Sequence, residues 1–198
     1  MQKLNTGYYK TFAAFSFMLM ISSCSNTKFL QEGQMLYTGA KITVKNDTLS
    51  KKEKSNLKDA LQEQLRPKPN SSFLGLRPRL YVYNITKEPK KQKGIGYWLK
   101  YKIGEKPVLL GDVDREFNKK IIVNYSENKG FFNAEASSDT IAKNKKAQVL
   151  YTVKPGARYL ISQVNFPVDS TVINSEIQSI KDKSFLKAGN PFDLDVIK

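Results

Sequence analysis

One thiol and no imidazole set the limits of the chemistry open to this chain. Its 198 residues contain a single Cys, Cys24, and no His. Without His there is no Ser-His-Asp or Cys-His nucleophile, no His-containing zinc site and no imidazole pH switch. One Cys forms no intrachain disulfide. Asp112-Val113-Asp114 and Asp193-Leu194-Asp195 have the Asp-x-Asp spacing of some metal and transferase sites. Both stand at expected helix starts, however, where a carboxylate caps free N–H groups and favours the dipole, so they are read as caps. Gly94-Ile95-Gly96 lacks the third glycine and the preceding strand that a dinucleotide-binding turn needs. No catalytic residue, metal ligand or cofactor is expected, and the chain is read as a non-enzyme.

The thiol itself has a context. Met1 to Lys10 is polar and basic, and Thr11 to Ile21 is an apolar run. That run is too short for a bilayer core, which takes about 20 residues, but fits the hydrophobic region of an export signal. It ends in Ile21-Ser22-Ser23-Cys24, an aliphatic residue, two small ones and a cysteine, which resembles a bacterial lipobox. Residues 1–23 are therefore read as a lipoprotein signal peptide and Cys24 as the lipidation site, with outer-membrane lipid as its partner. Each buried CH₂ of an acyl chain contributes about 0.8 kcal/mol, so two or three chains anchor a protein without a transmembrane helix. Ser25, in place of an Asp, resembles the sorting signal that favours the outer over the inner membrane. Residues 24–35 are read as a tether.

Lys plus Arg number 33 against 18 acids, a formal charge of +15; losing Lys3 and Lys10 with the signal leaves +13 on the mature chain. Hydrophobic residues at 40% and aromatics at 11% suffice for a folded core. The charge concentrates around residues 66–103, where Arg66, Lys68, Arg77, Arg79, Lys87, Lys90, Lys91, Lys93, Lys100 and Lys102 interleave with aromatics. Such a composition suits a polyanion surface. Export leaves no nucleic acid as partner; a solvated basic face, or contact with phosphate-bearing lipid, remains.

The elements that would position these residues follow from periodicity. Ala40, Ile42 and Val44 alternate with Lys41, Thr43 and Lys45, predicting a half-buried strand. Ser50-Lys51-Lys52-Glu53 is a capping box ahead of Leu57, Leu61 and Leu65, predicting a helix over about 50–65 that Pro67 and Pro69 end. Residues 79–85 have strand propensity, but Leu76, Leu80 and Tyr83 also fit a helix; two short helices are expected in this stretch. Val113, Phe117, Ile121 and Tyr125, behind the candidate cap Asp112, predict a second long helix ending at Lys129-Gly130. Phe132, Ala134 and Ala136, and then Ala147, Val149, Tyr151 and Val153, alternate on either side of Asn144-Lys145 and predict a hairpin. The pattern then restarts, with a strand expected over 158–166, a helix through Ile173, Ile177 and Ile180 behind Asp169-Ser170, and Gly189-Asn190-Pro191-Phe192 echoing Gly104-Glu105-Lys106-Pro107-Val108. The chain is read as α+β: one β-α-α-β-β unit over 36–156 with an insertion at about 66–103, then an incomplete second unit over 157–198.

This order, with Gly-x-x-Pro before the second helix, Gly130-Phe131-Phe132-Asn133-Ala134 opening the hairpin and Val149 to Tyr159 running into the next unit, resembles a POTRA domain. The lipobox with Thr27-Lys28-Phe29-Leu30, Leu36-Tyr37-Thr38-Gly39-Ala40, Arg66-Pro67-Lys68-Pro69-Asn70 and Leu80-Tyr81-Val82-Tyr83-Asn84 resembles the lipidated variant of the BamA/TamA outer-membrane assembly family over residues 21–198. The resemblance implies a periplasmic POTRA string, outer-membrane anchoring, unfolded outer-membrane protein clients and an inner-membrane-anchored partner, with a barrel that this sequence lacks. An open strand edge would capture extended segments with tolerance of their sequence, because the backbone supplies most of the hydrogen bonds; which strand is open is not fixed by the sequence. The alternative is a stand-alone basic lipoprotein that binds an envelope polyanion or lipid. Asp47-Thr48-Leu49, Asp139-Thr140-Ile141 and Asp169-Ser170-Thr171 resemble an O-glycosylation sequon of exported proteins.

Overall fold

The structure, a computed structural model, describes residues 26–166 and 171–197. Its main elements are β1 (Leu36–Val44), α1 (Lys51–Gln64), α2 (Pro78–Ile85), α3 (Ile95–Trp98), α4 (Arg115–Asn128), β2 (Glu135–Lys143), β3 (Lys146–Lys154), α5 (Val172–Ile180) and α6 (Leu194–Ile197). Three strands form one sheet in the order β1-β3-β2. With α2 and α3 set aside as an insertion, the α+β order β-α-α-β-β is the one read from the sequence. Packing divides the chain into two units: residues 26–39, 67–113 and 142–148 form the insertion unit, and residues 40–66, 114–141 and 149–197 form the helix-pair unit.

In the insertion unit, the Leu36 N–H donates to Lys145 O at 2.9 Å and the Thr38 hydroxyl to Ala147 O at 2.9 Å. Both pairs ascend the chain, so β1 runs parallel to β3. On its other side, Tyr37 N–H donates to Val108 O and Leu110 N–H to Met35 O, with Leu36 and Leu109 in an antiparallel bridge. Leu30, Leu36 and Leu80 form the core, with Leu109 against them. The buried Asn70 side chain donates to Lys106 O at 2.7 Å and accepts from Val108 N–H at 2.9 Å, fastening the returning segment. Within the expected tether, residues 26–30 pack on this unit, with Asn26–Phe29 a 3₁₀ turn and Asn26, Thr27 and Leu30 buried, while residues 31–35 are exposed or half-buried.

In the helix-pair unit, α1 starts at the expected capping box, with Ser50 and Glu53 satisfying each other's backbone N–H groups. Leu57, Leu61 and Leu65 are buried as expected. α4 begins two residues later than predicted. Asp114 caps it, accepting from Phe117 N–H at 2.9 Å, while Asp112 accepts from Leu109 N–H within a preceding 3₁₀ turn. Its buried stripe is Asn118, Ile122 and Ser126 rather than Phe117, Ile121 and Tyr125, and Phe117 is exposed. A rotation of about one residue, or 100°, follows because two polar residues on the inner stripe find backbone partners. Asn118 bonds Arg66, and the Ser126 hydroxyl donates to Ile122 O.

The hairpin turns at Asn144 and Lys145, both at positive φ (53° and 56°), as a two-residue type I′ connection requires. Val149, Tyr151 and Val153 are fully buried, and Ala147 nearly so. The strand expected over 158–166 does not form. Backbone pairing there stops at residues 159–161, which meet Asn190 and Phe192 around a single Leu160–Pro191 bridge. A strand needs a continuing ladder, which these few bonds do not supply. That bridge has the hydrogen-bond pattern of the Leu36–Leu109 bridge, but it falls on Pro191 itself, whereas Leu109 lies two residues beyond Pro107. α5 forms, capped by Thr171, which accepts from Asn174 N–H; the expected caps Asp169 and Ser170 lie outside the described residues.

Candidate functional site

Sheet order decides which strand is available. β3 is central, so β1 and β2 are the edges. β1 is covered at its start by residues 108–110, and further on Gln62 donates its side-chain amide to Ala40 O at 3.1 Å. β2, nine residues long and without proline, has β3 as its one strand neighbour among the described residues. The register fixes which backbone groups it offers. Lys145, Ala147 and Val153 direct their carbonyls to the β1 side, accepting from Leu36, Thr38 and Lys45. Counting from the two-residue turn, Val149, Tyr151 and Val153 share that parity and face Thr140, Ser138 and Ala136 in non-hydrogen-bonded pairs, so these three turn their N–H and C=O groups outward, the Thr140 N–H donating to Asp139 Oδ1 at 2.7 Å. Their side chains are half-buried, and those of Glu135, Ser137, Asp139 and Ile141 are exposed. An extended segment added here would find backbone partners at every second residue. Glu135, Asp139 and Lys143 are the kind of charges that discourage edge-to-edge aggregation without blocking a selected partner.

The helix-pair unit also holds a cleft of about 250 Å³ beside α1 and α4, lined by Leu49, Leu57, Ala60, Tyr125 and Phe131, with Lys129 and Arg158 at its polar side. Both cations are already committed. Lys129 Nζ lies 2.9 Å from Asp193 and 2.7 Å from Asp195; burial opposes its charge, but the two carboxylates raise its pKa above the ordinary lysine value. Arg158 Nε donates to Lys129 O at 3.0 Å, and its guanidinium lies 5.5 Å from the Phe131 ring centre. The cleft is thus an apolar recess rather than an anion site.

The Asp-x-Asp pairs hold structural positions. Asp112 and Asp114 accept from helix-start N–H groups, while Asp193 accepts from Asp195 N–H and binds Lys129. Gly94 has φ +90 at the start of α3. Among the basic residues of 66–103, Lys100 is not on the surface: it is buried, donates to Thr86 O at 2.8 Å and to Tyr83 O at 3.3 Å, and sits 4.4 Å from the Tyr83 ring centre. The aromatics divide, with Phe73, Trp98 and Tyr101 exposed and Tyr81, Tyr83 and Tyr97 half-buried. Tyr101 donates to Glu88, and that bond pushes its phenol up to about 12. Thr48 is exposed and donates to Asn46 Oδ1; Thr140 accepts from Arg115 Nη1. Cys24 and Ser170 lie outside the described residues. The open edge was missed as a site because edge position belongs to the sheet order, which no local pattern encodes.

No protein-family model and no curated protein matches the chain. Among solved structures, the BamA POTRA3-5 crystal structure from Haemophilus influenzae is similar at 14% identity, over 85% of this chain and 84% of that one, with a TM-score of 0.26. A score that low carries no weight for fold or function. Among the described residues, no helix is long and apolar enough to cross a membrane.

Proposed function

We propose that the chain is the periplasmic POTRA part of a TamL-like outer-membrane lipoprotein, anchored through acylated Cys24 and serving outer-membrane protein assembly or envelope translocation. It holds extended segments, from unfolded outer-membrane proteins or from an inner-membrane-anchored partner, along the edge of β2. The observation that carries this reading is the open β2 edge, with the outward N–H and C=O groups of Ala136 and Ser138 and the outward C=O of Thr140. The β-α-α-β-β order and the Ile21-Ser22-Ser23-Cys24 motif support the placement. No catalytic step is assigned.

Ser138→Pro tests it. Proline is tolerated on an edge strand where its N–H would face solvent, so the β2–β3 ladder survives while one outward donor is lost and the pyrrolidine ring blocks approach. Affinity for an extended, alternating apolar–polar peptide from a transmembrane β-strand should fall at least tenfold, with cooperative unfolding retained. Equal affinity in the folded variant would overturn edge capture. A basic lipoprotein that binds envelope lipid is the second reading, favoured by the apolar and basic surface of the insertion unit.

A further inference from the structure

Among the described residues, Leu74 joins two unfavourable features, a positive φ and a large exposed apolar side chain. Phe73 and Leu76 exchange two backbone hydrogen bonds, Phe73 N–H to Leu76 O at 2.8 Å and Leu76 N–H to Phe73 O at 2.9 Å, around Leu74 at φ +49 and Gly75 at φ +78. This is a type I′ turn, whose first central position favours Asn, Asp or Gly. A leucine there carries the steric cost of the left-handed backbone. It is also 86% exposed, beside Phe73 at 70%. Residues held in such conformations concentrate at functional sites. Entry of the turn into an apolar layer removes the exposure cost, and the strained backbone is what holds the leucine outward at the tip of the turn.

The surroundings point to the kind of layer. Residues 67–113 carry ten Lys and Arg against three acids, more than half of the mature chain's net charge in 47 residues. Lys87, Lys90, Lys91 and Lys93 are exposed on the loop before α3, and Ile95 and Trp98 project from α3 at 78% and 53% exposure. Apolar tips with a tryptophan and a lysine-rich loop match a bilayer interface with anionic headgroups. The first described residue is also tied to this unit. Asn26 donates its side-chain amide to Arg77 O at 3.3 Å and accepts from Asn84 at 3.5 Å. Cys24 is two residues upstream of Asn26 in the sequence.

We infer that the insertion unit is a membrane-seating module: it rests on anionic phospholipid beside the acyl anchor, with Leu74 entering the boundary between headgroups and acyl chains. The inference rests on the lipid-anchor reading of Cys24 and adds a second, non-covalent contact with the same bilayer. Two signals make attachment firm and fix the module's orientation, which a single acyl anchor does not.

The test uses the mature polypeptide, residues 24–198 with Cys24→Ser, sedimented with phosphatidylcholine vesicles with and without phosphatidylglycerol at low salt. Binding should require phosphatidylglycerol and weaken as salt rises. Leu74→Asn should lower vesicle affinity about tenfold, while its melting temperature holds or rises because Asn suits the left-handed position. Affinity of Leu74→Asn within twofold of the parent, equal binding to both vesicle types, or no binding to either would overturn the inference. The assay contains no peptide, so its failure leaves edge capture standing, and loss of peptide binding in Ser138→Pro leaves vesicle seating standing.

Discussion

Replacing Asn118 by Ala measures what joins α1 to α4. Asn118 is fully buried; its Nδ2 donates to Arg66 O at 2.6 Å and its Oδ1 accepts from Arg66 N–H at 3.0 Å. Arg66 directly follows Leu65, the C-cap of α1, and Pro67 comes next, so helical bonding cannot continue past this point. The alanine variant strands one backbone donor and one acceptor. Each costs roughly 1–3 kcal/mol when buried, and the exposure of Arg66 lets water reach part of the site, so about 2–4 kcal/mol in total is expected. With a urea slope of about 2 kcal/mol/M, the midpoint should fall by about 1–2 M. Circular dichroism during urea unfolding reads this directly, with Asn124→Ala, exposed on the same helix, as a control within about 0.5 kcal/mol of the parent. A midpoint for Asn118→Ala indistinguishable from that control would refute the view that the buried amide, rather than apolar contact alone, fixes the helix pair.

Gly104→Ala should destabilise by at least about 2 kcal/mol, because a Cβ there collides with the Lys100 carbonyl oxygen and comes within 3.0 Å of the Tyr83 backbone; an unchanged melting temperature would contradict this. Lys145→Gly should stabilise by about 0.5–1 kcal/mol by relieving its positive φ in the hairpin turn, read by thermal denaturation. Tyr101 gives a pH prediction. Its folded pKa of about 12 lies above the ordinary 10, so its contribution to stability is complete below pH 10 and is lost as pH rises through 12. Difference absorbance between the parent and Tyr101→Phe should place this titration near 12, and Glu88→Gln should move it back toward 10. Cys24→Ala should leave the protein unprocessed at that site and without acyl mass; a processed form still held in the membrane would argue against lipidation.

Much of this architecture is legible in local sequence. The capping box at Ser50, the leucine spacing of α1, the alternation along β3 and the Asn144-Lys145 turn each encode their element within a few residues. What was misread depends on distant partners. The inner face of α4 follows Asn118 and Ser126, polar residues that a hydrophobic pattern assigns to solvent; only the backbone of Arg66, 52 positions away, makes Asn118 a core residue. Lys100 is counted as surface charge by composition yet is satisfied by two carbonyls and a ring. The alternation over 158–166 is real, but a strand exists only with a partner along its length, and pairing there is confined to residues 159–161. The Leu74 turn had a signal in the adjacent Gly75, hidden because leucine is an unusual turn residue.

The central claim is that β2 receives extended segments. Residue-resolved amide hydrogen exchange, with and without a saturating alternating peptide, tests it most directly. The account predicts added protection at the outward amides of Ala136 and Ser138, with α1 and α4 unchanged. Protection that appears on the helices or in residues 67–113 while β2 amides exchange as before would contradict it.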